Sequence, residues 1–209
     1  MDYCDPHKLW YKLVVMFLMC QLELGTFFCY DNPAALQTIL LRDLQLSTTQ
    51  FALFYSVYAW PNILLCFVAG FLMDSVFGIH MGSVIFNSTA FLGALLFAYG
   101  GFLGYFWVML LGRTIYGIGS ECQKVAHNHY SLKLFRHMGL CFQYGLQHMT
   151  SRLGSVANFH YMDPMYRSLL ESYQNKFLAL GLTLLAASGT ILVTLLGCIL
   201  LAWMDLRAE

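Results

Sequence analysis

Glu121 and Arg152 are charged residues inside stretches that otherwise read as membrane-spanning helices. A charge at bilayer depth costs a few kcal/mol or more unless it faces a partner or a water-filled cavity. The two therefore point to a polar pathway through a membrane, and so to transport. Their helical neighbours support this. Arg113, Gly117, Glu121, Lys124 and Asn128 recur every three or four residues and share one helix face. Gln143, Gln147, Ser151, Gly154 and Asn158 form a second stripe, and Tyr144, His148, Arg152 and Ser155 a neighbouring one. Arg152 lies about 20 Å along the helix from Gly139, near mid-bilayer, at a rise of ~1.5 Å per residue. A third ionisable position, Glu23, lies beyond the midpoint of an apolar run with Gln21. It either lines the same cavity or sits near the outer interface.

The elements that must position these groups follow from composition. The chain has 209 residues, 59% hydrophobic and 11% charged, with mean hydropathy +0.62. A soluble domain carries about 25% charged residues. The formal net charge is zero, which argues against a nucleic-acid partner. A spanning helix needs about 20 residues. Six segments qualify, at about 9–29, 51–73, 79–99, 103–124, 139–161 and 177–204. The expected fold is an all-α integral membrane protein with six transmembrane helices in one bundle. The first run is too long for a signal-peptide core and reads as a retained helix. A tight turn is expected at Gly100-Gly101, with the longest loops at 30–50, 125–138 and 162–176. An even number of spans puts both termini on one side. Lys8, Lys12, Lys124, Lys133, Arg136 and Arg207 fall there against Arg42, Arg167 and Lys176, and six against three predicts cytoplasmic termini.

Seven cysteines are scattered without a CxxC pair, so neither a zinc site nor a disulfide framework is expected. His127, His129 and His137 sit among Lys and Arg in the expected 125–138 loop, in no usual ligand spacing, and no metal or cofactor is expected. No nucleophile–base pair stands out, so an enzyme is not expected. Asn87-Ser88-Thr89 fits a glycosylation sequon but lies inside the third segment, and Asn87 is expected to be unmodified.

Two motifs carry a resemblance. Between the second and third segments the chain reads Gly70, three residues, Asp74, three residues, Gly78. In the fourth it reads Gly112-Arg113-Thr114-Ile115-Tyr116-Gly117-Ile118-Gly119. The first resembles the G-x-x-x-D loop motif of the major facilitator superfamily, with Ser75 and His80 where basic residues are common. The second resembles the R-x-x-x-G motif of that superfamily. Gly117 and Gly119 suit close helix packing. Arg113 either serves the motif or snorkels to the non-cytoplasmic interface. Longer strings, among them Phe28–Gln37 (FCYDNPAALQ), Ser56–Asn62 (SVYAWPN), Ser151–Asn158 (SRLGSVAN) and Leu201–Glu209 (LAWMDLRAE), resemble the N-terminal half of the lysosomal dipeptide transporters of that superfamily.

The resemblance implies facilitative (uniport) transport across the lysosomal membrane and a glycosylated single-span accessory membrane protein. By position it implies that Glu121 and Arg152 bind substrate, a dipeptide or other small zwitterion. Glu121 would hold the ammonium and Arg152 the carboxylate, bidentately. A direct Glu121–Arg152 salt bridge is the plainer alternative. Glu23, Gln147 and Asn158 are candidate pathway residues, and Gly70, Asp74, Gly78, Arg113 and Gly117 conformational ones. Glu23 departs from the family, which has small or apolar residues there. The superfamily pairs two such bundles around its substrate. A single bundle is a fragment or short isoform, a diverged half that binds partners without transporting, or a protomer of a homodimer.

Overall fold

Apolar runs with few internal prolines fold here as helix throughout. The structure, a computed structural model, describes residues 9–135 and 139–208. Its elements are α1 (Leu9–Tyr30), α2 (Asn32–Ala35), α3 (Gln37–Asp43), α4 (Thr48–Ala59), α5 (Asn62–Leu72), a π turn (Met73–Phe77), α6 (Gly78–Leu103), α7 (Phe106–Phe135), α8 (Leu140–Tyr173) and α9 (Lys176–Ala208). Local chemistry marks several boundaries. Ser47 and Gln50 cap α4 reciprocally, side chain to backbone in both directions. Gly104, at φ +68°, ends α6 in the left-handed region that glycine occupies without strain. Asn175 Oδ1 accepts from the Phe177 and Leu178 amides at the start of α9.

Side by side, α6 packs between α7 and α9, and α1 between α9 and α8, while α4 and α5 lie against α7. The α6–α7 seam is the closest. A Cβ on Gly93 would come within 2.3 Å of the Tyr116 backbone nitrogen, and one on Gly112 within 2.5 Å of the Phe97 nitrogen. Glycine on each helix thus lets the two backbones touch, which is how helices associate where lipid offers no hydrophobic drive. The main apolar core runs from Leu36 and Phe54 through Phe97, Met109 and Tyr116 to Leu180 and Leu184. Large apolar side chains such as Trp10, Phe17, Phe67, Trp107 and Leu196 point outward. Among the described residues, three stretches, Trp10–Tyr30, Phe67–Leu103 and Lys176–Arg207, are long and apolar enough to cross a membrane.

Several expected boundaries move. Gly100 and Gly101 lie inside α6, buried against Met109 and Gly181, and the turn falls at Gly104. The second expected segment is broken at Trp60-Pro61 into α4 and α5 and continues through the π turn. Gly78, at φ +70°, follows that turn. The expected 30–50 loop holds α2, α3 and the start of α4. α7 runs through residue 135, so His127 is helical and buried rather than in a loop, while His137 lies outside the described residues. α8 continues through Pro164, which gives up one backbone bond, to Tyr173.

Between α3 and the ends of α8 and α9, outside the apolar spans, Asp43 is nearly enclosed. It accepts from Arg42 Nε at 2.8 Å and from the Tyr166 hydroxyl, with Lys176 Nζ at 3.8 Å. Burial raises its pKa, but the bonds from Arg42 and Tyr166 and the charges of Arg42 and Lys176 outweigh this and hold it below the ordinary 3.8. A lowered folded pKa stabilises the fold above the unfolded value and loses that stabilisation as pH falls through the folded one. Asp43→Asn should therefore lower the melting temperature in detergent at neutral pH, and the gap to wild type should close below pH 3.8. At the α6–α7 seam, Gly93→Val or Gly112→Val should cost about 1–3 kcal/mol or separate the helices. Gly189→Ala, where a Cβ meets nothing within 4 Å, should leave melting unchanged or raise it slightly.

Candidate functional site

The end of α1 is where the site begins, because its last carbonyls have no partners within the helix. Each finds one elsewhere. Phe27 O accepts from the Asp31 amide at 3.3 Å, and Phe28 O from Asn158 Nδ2 at 2.7 Å. Cys29 O and Tyr30 O accept from Arg113 Nη1 and Nη2 at 3.4 and 2.9 Å. One turn back, the Tyr116 hydroxyl donates to Thr26 O at 2.6 Å. Arg113 is 2% exposed, and the rings of Tyr30, Tyr55, Tyr58, Phe97 and Tyr116 stand 5.3–5.7 Å from its Cζ. It is a buried helix cap held by cation–π contacts. It does not snorkel to an interface.

This frame ties the end of α1 to both α7 and α8, which touch each other little. The gap between them is a cavity of about 290 Å³ lined by Glu23 and Phe27 from α1, Lys124 and Asn128 from α7, and Tyr144, Gln147 and His148 from α8. Glu121 and Arg152 flank it. Glu121 Oε1 accepts from Lys124 Nζ at 2.5 Å and from the Tyr58 hydroxyl at 2.7 Å. Tyr58 is in turn 2.9 Å from Ser120 Oγ. Arg152 is exposed, its guanidinium 6.0 Å from the centre of the Phe27 ring, and Lys124 Nζ is 5.3 Å from the same ring. Among the described residues no direct ion pair joins Glu121 to Arg152; Lys124 and Phe27 stand between them.

The other sequence candidates divide. Glu23 lines the cavity and contacts His127 Nδ1 at 2.7 Å. Gln147 also lines it, and its amide donates to Ser131 Oγ at 3.4 Å. Asn158 is not among the residues that line the cavity. It is fully buried and bonded to Phe28 O and, at 2.6 Å, to Asn32 Oδ1, tying α8 to the α1–α2 junction. Gly117 allows α7 to approach Tyr58 O, which a Cβ there would meet at 2.7 Å. Gly70 makes no such approach, since a Cβ there meets nothing within 4 Å. Asp74 falls in the π turn and its side chain lies outside the described residues. Asn87 is buried on α6, with Thr194 Oγ1 donating to it at 3.4 Å.

Three site residues escaped the sequence reading. Lys124 shares the polar face of Glu121, and its place one turn later points to a pair that the stripe alone does not name. Phe27 gave no signal, because one phenylalanine in an aromatic-rich span resembles any other. His127 lies four residues after Gln123 on α7, but its carboxylate partner is on another helix.

The Arg113 frame can be tested by itself. A lysine ammonium cannot fork across two carbonyls. Arg113→Lys should therefore lower stability by about 2 kcal/mol or more, the scale of desolvated cation–π and charged hydrogen bonds. It should be read as melting in detergent against Arg167→Lys on the exposed part of α8, where no change is expected. Equal melting of the two variants would show that the cap contributes little.

No family model matches the chain. Among solved structures, the crystal structure of tetrameric PepTSo2 superposes on 91% of this chain and 41% of its own, with a TM-score of 0.68 at 20% identity, and the two share a fold. Among curated proteins, the lysosomal dipeptide transporter MFSD1 of Mus musculus is 45% identical over 99% of this chain and 45% of its own length. That of Homo sapiens is 44% identical over 99% and 44% respectively, and that of Danio rerio 41% over 99% and 45%. The chain spans about half the length of the curated relatives it matches. A multi-pass helical protein, it is a homologue of the lysosomal dipeptide transporter MFSD1 proteins, corresponding to about half of one of them.

Proposed function

We propose that the chain is one six-span bundle of a facilitative dipeptide transporter in the lysosomal membrane, with both termini cytoplasmic. In this reading α1, α4 with α5, α6, α7, α8 and α9 are the spans, and α2 and α3 lie outside them. The observation that carries it is the cavity between α7 and α8, with Glu121 on α7 paired to its lining Lys124 and Arg152 on α8 beside its lining Phe27 ring. A dipeptide carries an ammonium and a carboxylate at a fixed separation. Glu121 takes the ammonium in exchange for Lys124, Arg152 takes the carboxylate over the Phe27 face, and Glu23 and Gln147 line the passage. The names of the curated relatives support the substrate class and the compartment. The other wall comes from a second bundle, supplied by a longer chain or by a homodimer, and a glycosylated accessory membrane protein is the expected partner.

Glu121 and Glu23 are already paired, with Lys124 and His127, and this favours one second reading, a bundle that binds other membrane proteins without carrying substrate. Reconstitution separates the two. Proteoliposomes containing the chain should take up a radiolabelled dipeptide. Glu121→Gln and Arg152→Ala should each cut uptake at least about tenfold, the cost of losing one charge-assisted contact, with insertion unchanged. Uptake that survives both substitutions would overturn the site. Wild-type chain that carries no flux and elutes with another membrane protein would favour the second reading.

A further inference from the structure

Beside the cavity, Glu23, which lines it, His127 and Gln123 form a chain of contacts in which His127 and Gln123 take no part in the proposed substrate site. His127 Nδ1 lies 2.7 Å from Glu23 Oε1, and its Nε2 lies 3.2 Å from Gln123 Nε2. His127 and Gln123 are each 3% exposed, whereas Glu23 reaches the cavity. An ionised carboxylate only accepts hydrogen bonds, so Nδ1 carries the hydrogen. The open question is Nε2. Facing an amide nitrogen it is an acceptor, and the ring is neutral. In that arrangement Gln123 Oε1 is buried without a partner, while the amide nitrogen also contacts Cys198 Sγ at 3.8 Å. Turning the amide over puts Oε1 on Nε2, which must then carry a second hydrogen, making an imidazolium. Each orientation leaves one end of the amide without a protein partner. The amide therefore serves either protonation state.

We propose that Glu23, His127 and Gln123 form a proton-binding site that opens on the cavity. A proton from solvent bonds to His127 Nε2, the Gln123 amide rotates so that Oε1 accepts it, and Glu23 stays ionised and balances the imidazolium. The groups around it are Lys124 and Asn128 on α7, Tyr144, Gln147 and His148 on α8, Cys20 on α1 and Cys198 on α9, with Glu121 beyond Lys124. Since Glu121 is paired with Lys124, the proton changes the charge on the Glu23 side of the cavity by one unit. Histidine is the side chain whose ordinary charge change falls within about pH 5–8.

The test needs neither substrate nor a second bundle, so it can fail or succeed apart from the transport reading. The full chain, labelled with nitrogen-15 at its histidine rings and held in detergent micelles, is titrated by NMR, and His127→Asn identifies the His127 signals. If that variant does not fold, single His→Asn variants of the other six histidines, His7, His80, His129, His137, His148 and His160, assign them by elimination. The expected result is the Nδ1–H tautomer at about pH 8 and two protonated nitrogens at about pH 5. Glu23→Gln should erase the preference for Nδ1–H. An Nε2–H tautomer at the alkaline end, or a ring that stays neutral across the range, would overturn the proposal.

Discussion

In an apolar medium every free backbone carbonyl must find a donor in the protein, and the end of α1 shows how far that requirement shapes this chain. Phe28, Cys29 and Tyr30 are satisfied by Asn158 from α8 and Arg113 from α7, and Thr26 receives a further bond from Tyr116. The same contacts fix where α7 and α8 stand relative to α1. Near this end the two helices are tied to one point, and farther along the cavity lies between them, with Gln147 of α8 donating to Ser131 of α7.

The α6–α7 seam supplies the second fixed distance. With Gly93 and Gly112 at the contact, the backbones of these helices cannot slide apart without losing their closest packing. Arg113 follows Gly112 directly, so the residue that lets α7 touch α6 also sets the height at which the guanidinium reaches the end of α1. Tyr116, one turn on, both packs at Gly93 and donates to Thr26. Frame and cavity share residues, and a change at the seam is transmitted to the cap without any contact with the cavity itself.

Much of this was legible beforehand, for physical reasons. Polar stripes at helical spacing in apolar runs have few alternatives to an inward face, and Glu23, Lys124, Gln147 and His148 all meet at the cavity. Hydropathy, however, marks where a chain leaves an apolar medium and not where a helix stops. Charged residues are good helix formers, so α7 and α8 run on to Phe135 and Tyr173 past their apolar portions. Gly100-Gly101 read as a turn because glycine serves turns and close packing alike, and only the neighbour, Met109 or Gly181, distinguishes the two. Asn158 belonged to the polar stripe but satisfies carbonyls instead of a passage. A buried asparagine and a pathway asparagine look the same until the backbone end it serves is known.

The charges that meet at the cavity are largely spoken for: Glu121 by Lys124 and Tyr58, Glu23 by His127. That has a consequence for the proposed transport. A zwitterion entering such a cavity exchanges partners rather than adding them: its ammonium takes the place of Lys124 at Glu121, and Lys124 turns toward water or the Phe27 face. Because an ion pair is present before and after, most of the desolvation cost of the carboxylate is already met in the empty state. The net gain per contact is then small. A site that cycles between loading and release must bind well enough to fill and weakly enough to empty, and prepaired carboxylates achieve this with strong local interactions that nearly cancel. Arg152, exposed and set over a ring, is the less committed charge, and the orientation of a bound zwitterion would follow from that asymmetry.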